Sequence, residues 1–177
     1  MSTLPPVLNF KQWINDNRHL LKPPVGNYQV WRELNPEFII MVVGGPNSRK
    51  DYHINQSEEF FYQLEGDIVL KVIENGQPKD IPIHEGDIFL LPPHIPHSPQ
   101  RKAGTIGLVV ERKRKPDEVD QAVWYCEKCH EVLHKSEFHL KDISVQLKKL
   151  FEDFYGNVGS RTCKKCGTVM EPPTPLN

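Results

Sequence analysis

GGPNSRKDYHINQSEEFFYQLEG, residues 44–66, is the stretch whose reading decides the fold. It offers His53 and, six residues later, Glu59; Phe60 and Phe61 follow at once and Gly66 closes the segment. Because the separation is even, both side chains share one face if the backbone stays extended, although a turn within residues 55–58 would break that parity. A second stretch, GDIFLLPPHIPHSPQR at 86–101, adds His97. A lone histidine is usually a scattered barrel residue. Two imidazoles and a carboxylate at two separate motif spacings are not lone. This donor set leaves open positions, which suits a non-haem iron(II) centre better than a closed structural zinc site. His94, just before His97, matches no ligand position and is assigned to the ligands' surroundings or the surface.

Outward from these stretches the signals are strands. FIIMVV at 38–43 is a continuous apolar run, EFFYQL at 59–64 and DIVLKVI at 67–73 follow, and TIGLVVE at 105–111 reads as a last barrel strand. Glu65-Gly66 and Asn75-Gly76 read as hairpin turns. Ahead of the strands, residues 10–21 put Phe10, Trp13, Ile14, Leu20 and Leu21 near one helical stripe, with Asn9 and Gln12 as a capping box and Pro23-Pro24 as the stop. The 16 prolines among 177 residues exceed the usual share of roughly 5%, which favours turns and short antiparallel strands over long helices. The expected fold is mainly β, a small closed barrel or sandwich of short strands with an N-terminal helix.

Composition narrows the function. With 22 Lys and Arg against 23 Asp and Glu, nothing indicates a nucleic-acid surface, and no apolar run suggests a membrane span. The basic cluster ERKRK at 111–115 reads as a solvated strand end. The N-terminus shows no basic region followed by an apolar core, so the expected location is cytoplasmic.

Beyond Lys115-Pro116-Asp117 the pattern changes. Cys126 and Cys129 form one CxxC pair, and Cys163 and Cys166 form another after a 33-residue spacer. Two such knuckles supply four sulfurs in a tetrahedron, which suits zinc or a rubredoxin-like iron. CEKCH at 126–130 also spells a c-type haem attachment string, and either pair alone could be a redox disulfide. The second CxxC and the absence of a thioredoxin-like βαβ pattern favour the tetrathiolate. A helix near 142–155, with Ile143, Leu147, Leu150, Phe151 and Phe154 in phase, is expected within the spacer. The expected division is a catalytic domain at 1–115 and a metal-binding extension at 116–177 packed on it.

The two opening stretches resemble the two cupin motifs, which imply a double-stranded β-helix (jelly-roll) barrel. The first motif is met by His53, Glu59 and Gly66, with Asn55 where a second histidine is usual. The second is met by Gly86, Pro92 and His97, with His94 in place of glycine and Arg101 in place of asparagine. Losing the usual ligand at Asn55 leaves three, and Arg101 places a fixed cation near them. Within the cupins the chain resembles the 3-hydroxyanthranilate 3,4-dioxygenase family almost end to end: LLKPPVGN (20–27), VVGGPN (42–47), DYH (51–53), EEFFYQL (58–64), EGDIFLLPPH (85–94), HSPQR (97–101) and the paired CxxC segments.

That resemblance implies one iron(II) on His53, Glu59 and His97, an aromatic substrate with dioxygen as co-substrate, and a homodimer. It implies that Arg101 anchors the substrate carboxylate. Arg49 would bind substrate or dioxygen, Glu111 would meet the substrate hydroxyl and amino side and take a proton, and Val25 and Asn27 would face substrate from a loop over the mouth. For Arg101, Arg49 and Glu111 the alternatives are a surface ion pair or a solvent-facing strand end. The residues alone reach an iron cupin with an anionic aromatic or small acid ligand. A cupin dioxygenase acting on a thiol or another phenol, or a zinc-binding module without turnover, stays open at this point. The family implies ring cleavage in tryptophan degradation on the way to quinolinate and NAD.

Overall fold

The computed structural model describes residues 4–23, 26–140 and 143–174. Helix α1 (Phe10–Asn17) runs into a 3-10 turn at Arg18–Leu21. The Asn9 side chain accepts from the Gln12 N–H, a cap that contributes about 1 kcal/mol. The reciprocal half of the capping box is not made, because the Gln12 side chain turns to Asp16.

Among the described residues eleven strands follow in two sheets: β1 (Asn27–Val30), β2 (Phe38–Gly44), β3 (Asp51–Ile54), β4 (Glu59–Glu65), β5 (Ile68–Glu74), β6 (Gln77–Ile83), β7 (Ile88–Leu91), β8 (His97–Arg101), β9 (Ile106–Arg112), β10 (Asp120–Tyr125) and β11 (Val132–Phe138). One sheet has the order β1-β2-β9-β4-β7 and the other β11-β10-β3-β8-β5-β6. The pairings are antiparallel, as in β2 with β9 and β5 with β8. The molecule is the mainly-β double sheet expected, with a helix at each end.

From β2 to β5 each strand enters the other sheet, and this corrects the hairpin at Glu65-Gly66: β4 lies in the first sheet and β5 in the second. Gly66 turns that corner at φ 64°, its N–H held by the Glu85 carboxylate at 2.7 Å. Asn75-Gly76 does form a hairpin, joining β5 to β6 with both residues at positive φ, as a type I′ turn demands.

Between the sheets, inward-facing Met41, Phe61, Ile68, Leu70, Val72, Ile83, Leu91 and Val109 form the main core. The N-terminal helix covers part of the outer face of the first sheet through Ile14, Leu21, Val30, Val42 and Ile106. The expected last barrel strand is not the last. β10 pairs with β3 across Gln121–Trp124, and β11 pairs with β10, so the segment beyond residue 115 extends the second sheet. Ala122 lies opposite His53 and Trp124 opposite Asp51, so these side chains share the inner face. Helix α2 (Ile143–Tyr155) packs over that face: Trp124 stacks on Phe154 at 4.3 Å and 18°, with Met170 in the same cluster. The spacer helix thus forms part of the inner wall of the sandwich. A short helix α3 (Val158–Arg161) leads into the second knuckle. Among the described residues no helix is long and apolar enough to cross a membrane.

Candidate metal centre and pocket

The parity linking His53 to Glu59 holds for a different reason from the one expected. Residues 55–58 do break the strand, and β3 and β4 belong to opposite sheets. Both side chains still point inward, each from its own sheet. In the second sheet His53 lies directly across from His97. In the first, Glu59 lies directly across from Glu111. A pair of imidazoles thus faces a pair of carboxylates, and all four residues are buried.

Ligand-type atoms of His53, Glu59 and His97 lie within 4.8 Å of one another. Each ring is oriented from behind. His97 donates Nδ1–H to the Ile95 carbonyl at 3.0 Å, which leaves Nε2 pointing at Glu59, 3.0 Å away. His53 Nε2 bonds Asp120 at 2.6 Å. Asp120 is clamped by Arg114 at 2.6 and 2.7 Å, so it stays ionised and can only accept; His53 must donate from Nε2 and present Nδ1 inward. Such outer carboxylates and carbonyls fix the tautomer of metal-binding histidines. Two neutral imidazoles with one carboxylate is a donor set that fits a divalent metal with positions to spare.

The electrostatics separate the two carboxylates. Burial pushes the Glu59 carboxyl up, but His97 first, then His53 and Arg114, hold it below the usual range. Burial likewise disfavours a charged His97, yet Glu59 and the Ile95 carbonyl raise its pKa. Glu111 goes the other way: burial and the neighbouring Glu59 charge raise its pKa, against the opposing pull of Arg114. The Asn55 amide donates to Oε2 of both, at 3.2 Å to Glu59 and 3.4 Å to Glu111. At the position where cupins usually place a ligand, this chain bridges the two carboxylates instead.

Arg101 reaches inward from β8 to the Gln63 side-chain oxygen at 3.2 Å. Gly107 leaves room for it, since a Cβ there would come within 2.9 Å of Nη1. The guanidinium is 4% exposed, Nε has no hydrogen-bond partner, and no carboxylate pairs with it among the described residues. Burial lowers its pKa to about 10, so it remains a cation at neutral pH. Arg49 differs, because Asp51 takes its Nε and Nη2 in a fork at 3.1 and 2.5 Å.

These residues line one cavity of about 90 Å³, whose apolar wall includes Met41, Val43, Val109 and, from α2, Leu147. Asn27 lies on the cavity wall as expected, and Val25 lies outside the described residues. Sequence reasoning missed Asn47, which lines the cavity and ties the loop before β3 to β8 by exchanging bonds with Arg101 and Pro99. It also misread the basic part of ERKRK as a solvated strand end: the Arg114 side chain is 1% exposed and ion-paired at 2.7 Å with Glu111, the residue the resemblance had placed at the substrate. His94 is exposed at φ 64°, which explains why glycine is usual there.

The four cysteines form the second cluster. Sulfurs of Cys126, Cys129, Cys163 and Cys166 lie within 4.8 Å of one another, with Cys126–Cys166 at 3.6 Å and Cys129–Cys163 at 3.5 Å. Each knuckle is closed by the same bond: His130 N–H to the Cys126 carbonyl and Gly167 N–H to the Cys163 carbonyl, both 2.9 Å. His130 and Gly167 both take positive φ, at 58° and 73°. The histidine of the haem-like string therefore occupies a turn position and is exposed. The cluster fits a tetrathiolate metal site.

Comparisons with known proteins agree with this geometry. Residues 1–155 match the family model described as 3-hydroxyanthranilic acid dioxygenase. The chain is 49% identical over 164 residues to a 3-hydroxyanthranilate 3,4-dioxygenase of Neurospora crassa, covering 93% of this chain and 89% of that protein. It is 51% identical over 168 residues to the protein of the same name from Xanthomonas euvesicatoria pv. vesicatoria, covering 95% and 94%. Among solved structures, a cupin-2 domain containing protein from Shewanella frigidimarina aligns at 19% identity and TM-score 0.47, covering 60% of this chain and 94% of that one.

Proposed function

The chain belongs to the 3-hydroxyanthranilic acid dioxygenase family, and from that premise we propose that it opens the ring of 3-hydroxyanthranilate with dioxygen, using one iron(II) held by His53, Glu59 and His97. The observation that carries this reading is Arg101, a buried cation on the same cavity as the donor triad and without a carboxylate partner among the described residues. An aromatic acid supplies that partner, in the planar two-bond geometry that guanidinium and carboxylate share.

Bound at the triad, iron(II) would act as template and electron conduit for the phenolic substrate and dioxygen. The protein's own groups do the rest. Arg101 holds the ring carboxylate, and the apolar wall from Met41 to Leu147 excludes water from the ring. Arg49 has given Nε and Nη2 to Asp51 and offers Nη1 to substrate or dioxygen. Arg114 and Asn55 both engage Oε2 of Glu111, so Oε1 is the oxygen that takes the phenol proton. A carboxylate whose pKa is raised by burial is a better base than an ordinary glutamate. Asn27, with Val25 from the adjoining loop, faces the substrate. Both oxygen atoms enter across the bond between the hydroxyl-bearing carbon and its unsubstituted ring neighbour, so the first becomes a carboxylate and the second the aldehyde of 2-amino-3-carboxymuconate semialdehyde. That product cyclises to quinolinate, the NAD precursor of tryptophan degradation.

Cys126, Cys129, Cys163 and Cys166 hold a structural iron or zinc, and residues 116–177 serve as the extension that carries it. The protein works in the cytoplasm, a reducing compartment that keeps its four cysteines as thiols free to bind a metal. Its homodimer contact lies on the outer face of the first sheet, where Ile88 and Leu90 are 68% and 58% exposed beside half-buried Tyr62 and Phe60. The deciding experiment loads purified protein with iron(II) anaerobically, adds 3-hydroxyanthranilate and follows oxygen uptake with product absorbance. Stoichiometric uptake with the product's absorbance is expected; no uptake by iron-loaded protein overturns the reading.

A further inference from the structure

Arg114 lies behind the site and contacts both Glu111 and the Asp120 carboxylate that holds His53. Its side chain is 1% exposed. Nε and Nη2 form a fork on Asp120 at 2.6 and 2.7 Å, and Nη2 also reaches Oε2 of Glu111 at 2.7 Å. Asp120 in turn holds His53 at 2.6 Å. Glu111 is joined through the Asn55 amide to Glu59. One planar ion thus fixes the orientation of a histidine in the second sheet, through Asp120, and that of the Glu111 carboxylate in the first, directly. Asp120 and Glu111 come from β10 and β9, strands of different sheets, so no backbone hydrogen bond sets their separation.

We propose that Arg114 is a positioning residue for the reaction. It sets the His53 ring through Asp120 and the Glu111 carboxylate directly, so that metal grip and base placement are locked to each other. The inference rests on the ring-cleavage reading above and extends it to Asp120, to which that reading gives no role, and to the link between the metal ligand and the base. Two features of the side chain are needed for it. The charge keeps two buried carboxylates tolerable. The rigid fork fixes their mutual geometry, which an ammonium on a flexible stem does not.

Arg114→Lys separates these features, since it keeps the charge and loses the fork. Apoprotein is titrated anaerobically with iron(II), and the metal-saturated protein is then assayed for kcat and KM. Thermal unfolding of the apoprotein is followed in parallel. Expected is iron affinity lower by roughly 10–100-fold, the usual effect of losing an outer partner of a metal ligand. The kcat of saturated enzyme should fall by a similar factor while KM, governed by Arg101, stays within about threefold. Arg114→Lys protein with unchanged iron affinity and kcat, whatever its unfolding temperature, reduces Arg114 to a structural ion pair and overturns the proposal. Should that variant not fold, Asp120→Asn tests the same line from the histidine side: weaker iron binding is expected, and unchanged affinity overturns the proposal. If the unaltered protein binds iron(II) but leaves 3-hydroxyanthranilate intact, the ring-cleavage reading fails. The affinity comparison still decides Arg114's role in holding the metal.

Discussion

The two clusters of candidate metal ligands are built on opposite plans. The four cysteines come from two knuckles of the same local geometry, each a CxxC closed by its own N–H to carbonyl bond and a positive-φ residue. All of their donor atoms are alike, and four thiolates complete a tetrahedron. The His-Glu site takes its donors from strands in two sheets, mixes imidazole with carboxylate, and adjoins a cavity holding a cation without a carboxylate partner among the described residues. A symmetric, saturated set holds a metal and nothing else. An asymmetric, unsaturated one leaves room for a ligand, and its surroundings decide which ligand.

The sharpest way to break this comparison is at the open site itself. His97→Ala should leave the fold and abolish both iron binding at this site and turnover, measured as metal content and initial rate on the same sample. Full turnover by an iron-free variant would remove the triad from the mechanism.

Next is the base. Glu111→Gln keeps the shape and should slow ring cleavage by roughly 10²–10⁴-fold while substrate still binds. The sign of the pH effect follows from the environment. Burial and Glu59 raise the Glu111 pKa, and only the ionised form accepts a proton. Activity should therefore fall as pH drops through a value above the ordinary glutamate value of about 4.3. A glutamine variant whose rate and acid limb match the parent would return Glu111 to a structural role.

Arg101→Ala should act mainly on KM. Each charge-assisted hydrogen bond contributes about 1.5–3 kcal/mol, or roughly 10–150-fold. An analogue lacking the ring carboxylate should be nearly indifferent to the change. Equal losses for both compounds would make Arg101 structural.

The smallest catalytic effect is expected at the closed site. Cys126→Ser should lose one metal per chain and destabilise the region around α2, because metal binding at such sites is folding free energy. Leu147 of α2 lines the cavity, so KM should rise a few-fold while kcat of folded, iron-loaded protein holds. A collapse of kcat with the iron retained would show that the two sites are not independent in the chemistry.

How much of this was legible in the sequence depended on how local each feature is. The CxxC pairs, the Asn75-Gly76 turn and the Asn9 cap each lie within a few residues, where chain geometry leaves little choice, and all appear in the structure. Spacing and resemblance put His53, Glu59 and His97 together, and the structure brings their ligand-type atoms within 4.8 Å of one another, but the parity linking the first two was the wrong physical route to that juxtaposition. The Glu65-Gly66 corner was misread because a turn signal states that the chain bends, not which sheet it enters next.

The sequence by itself determined a mainly β chain, two sets of metal-ligand residues and a family resemblance, because alternation, turn chemistry and ligand spacing are properties of neighbouring residues. Only the tertiary structure decided that Arg114 is buried between Asp120 and Glu111, that Asn55 bridges two carboxylates, that Arg101 lies over Gly107 and that α2 walls the cavity. Each of those contacts joins different elements: a loop to two strands for Arg114 and Asn55, one sheet to the other for Arg101 and Gly107, and a helix to the sheets for α2. Their partners are set by which faces meet when the sandwich closes and its apolar side chains leave water, a choice made by the whole chain at once.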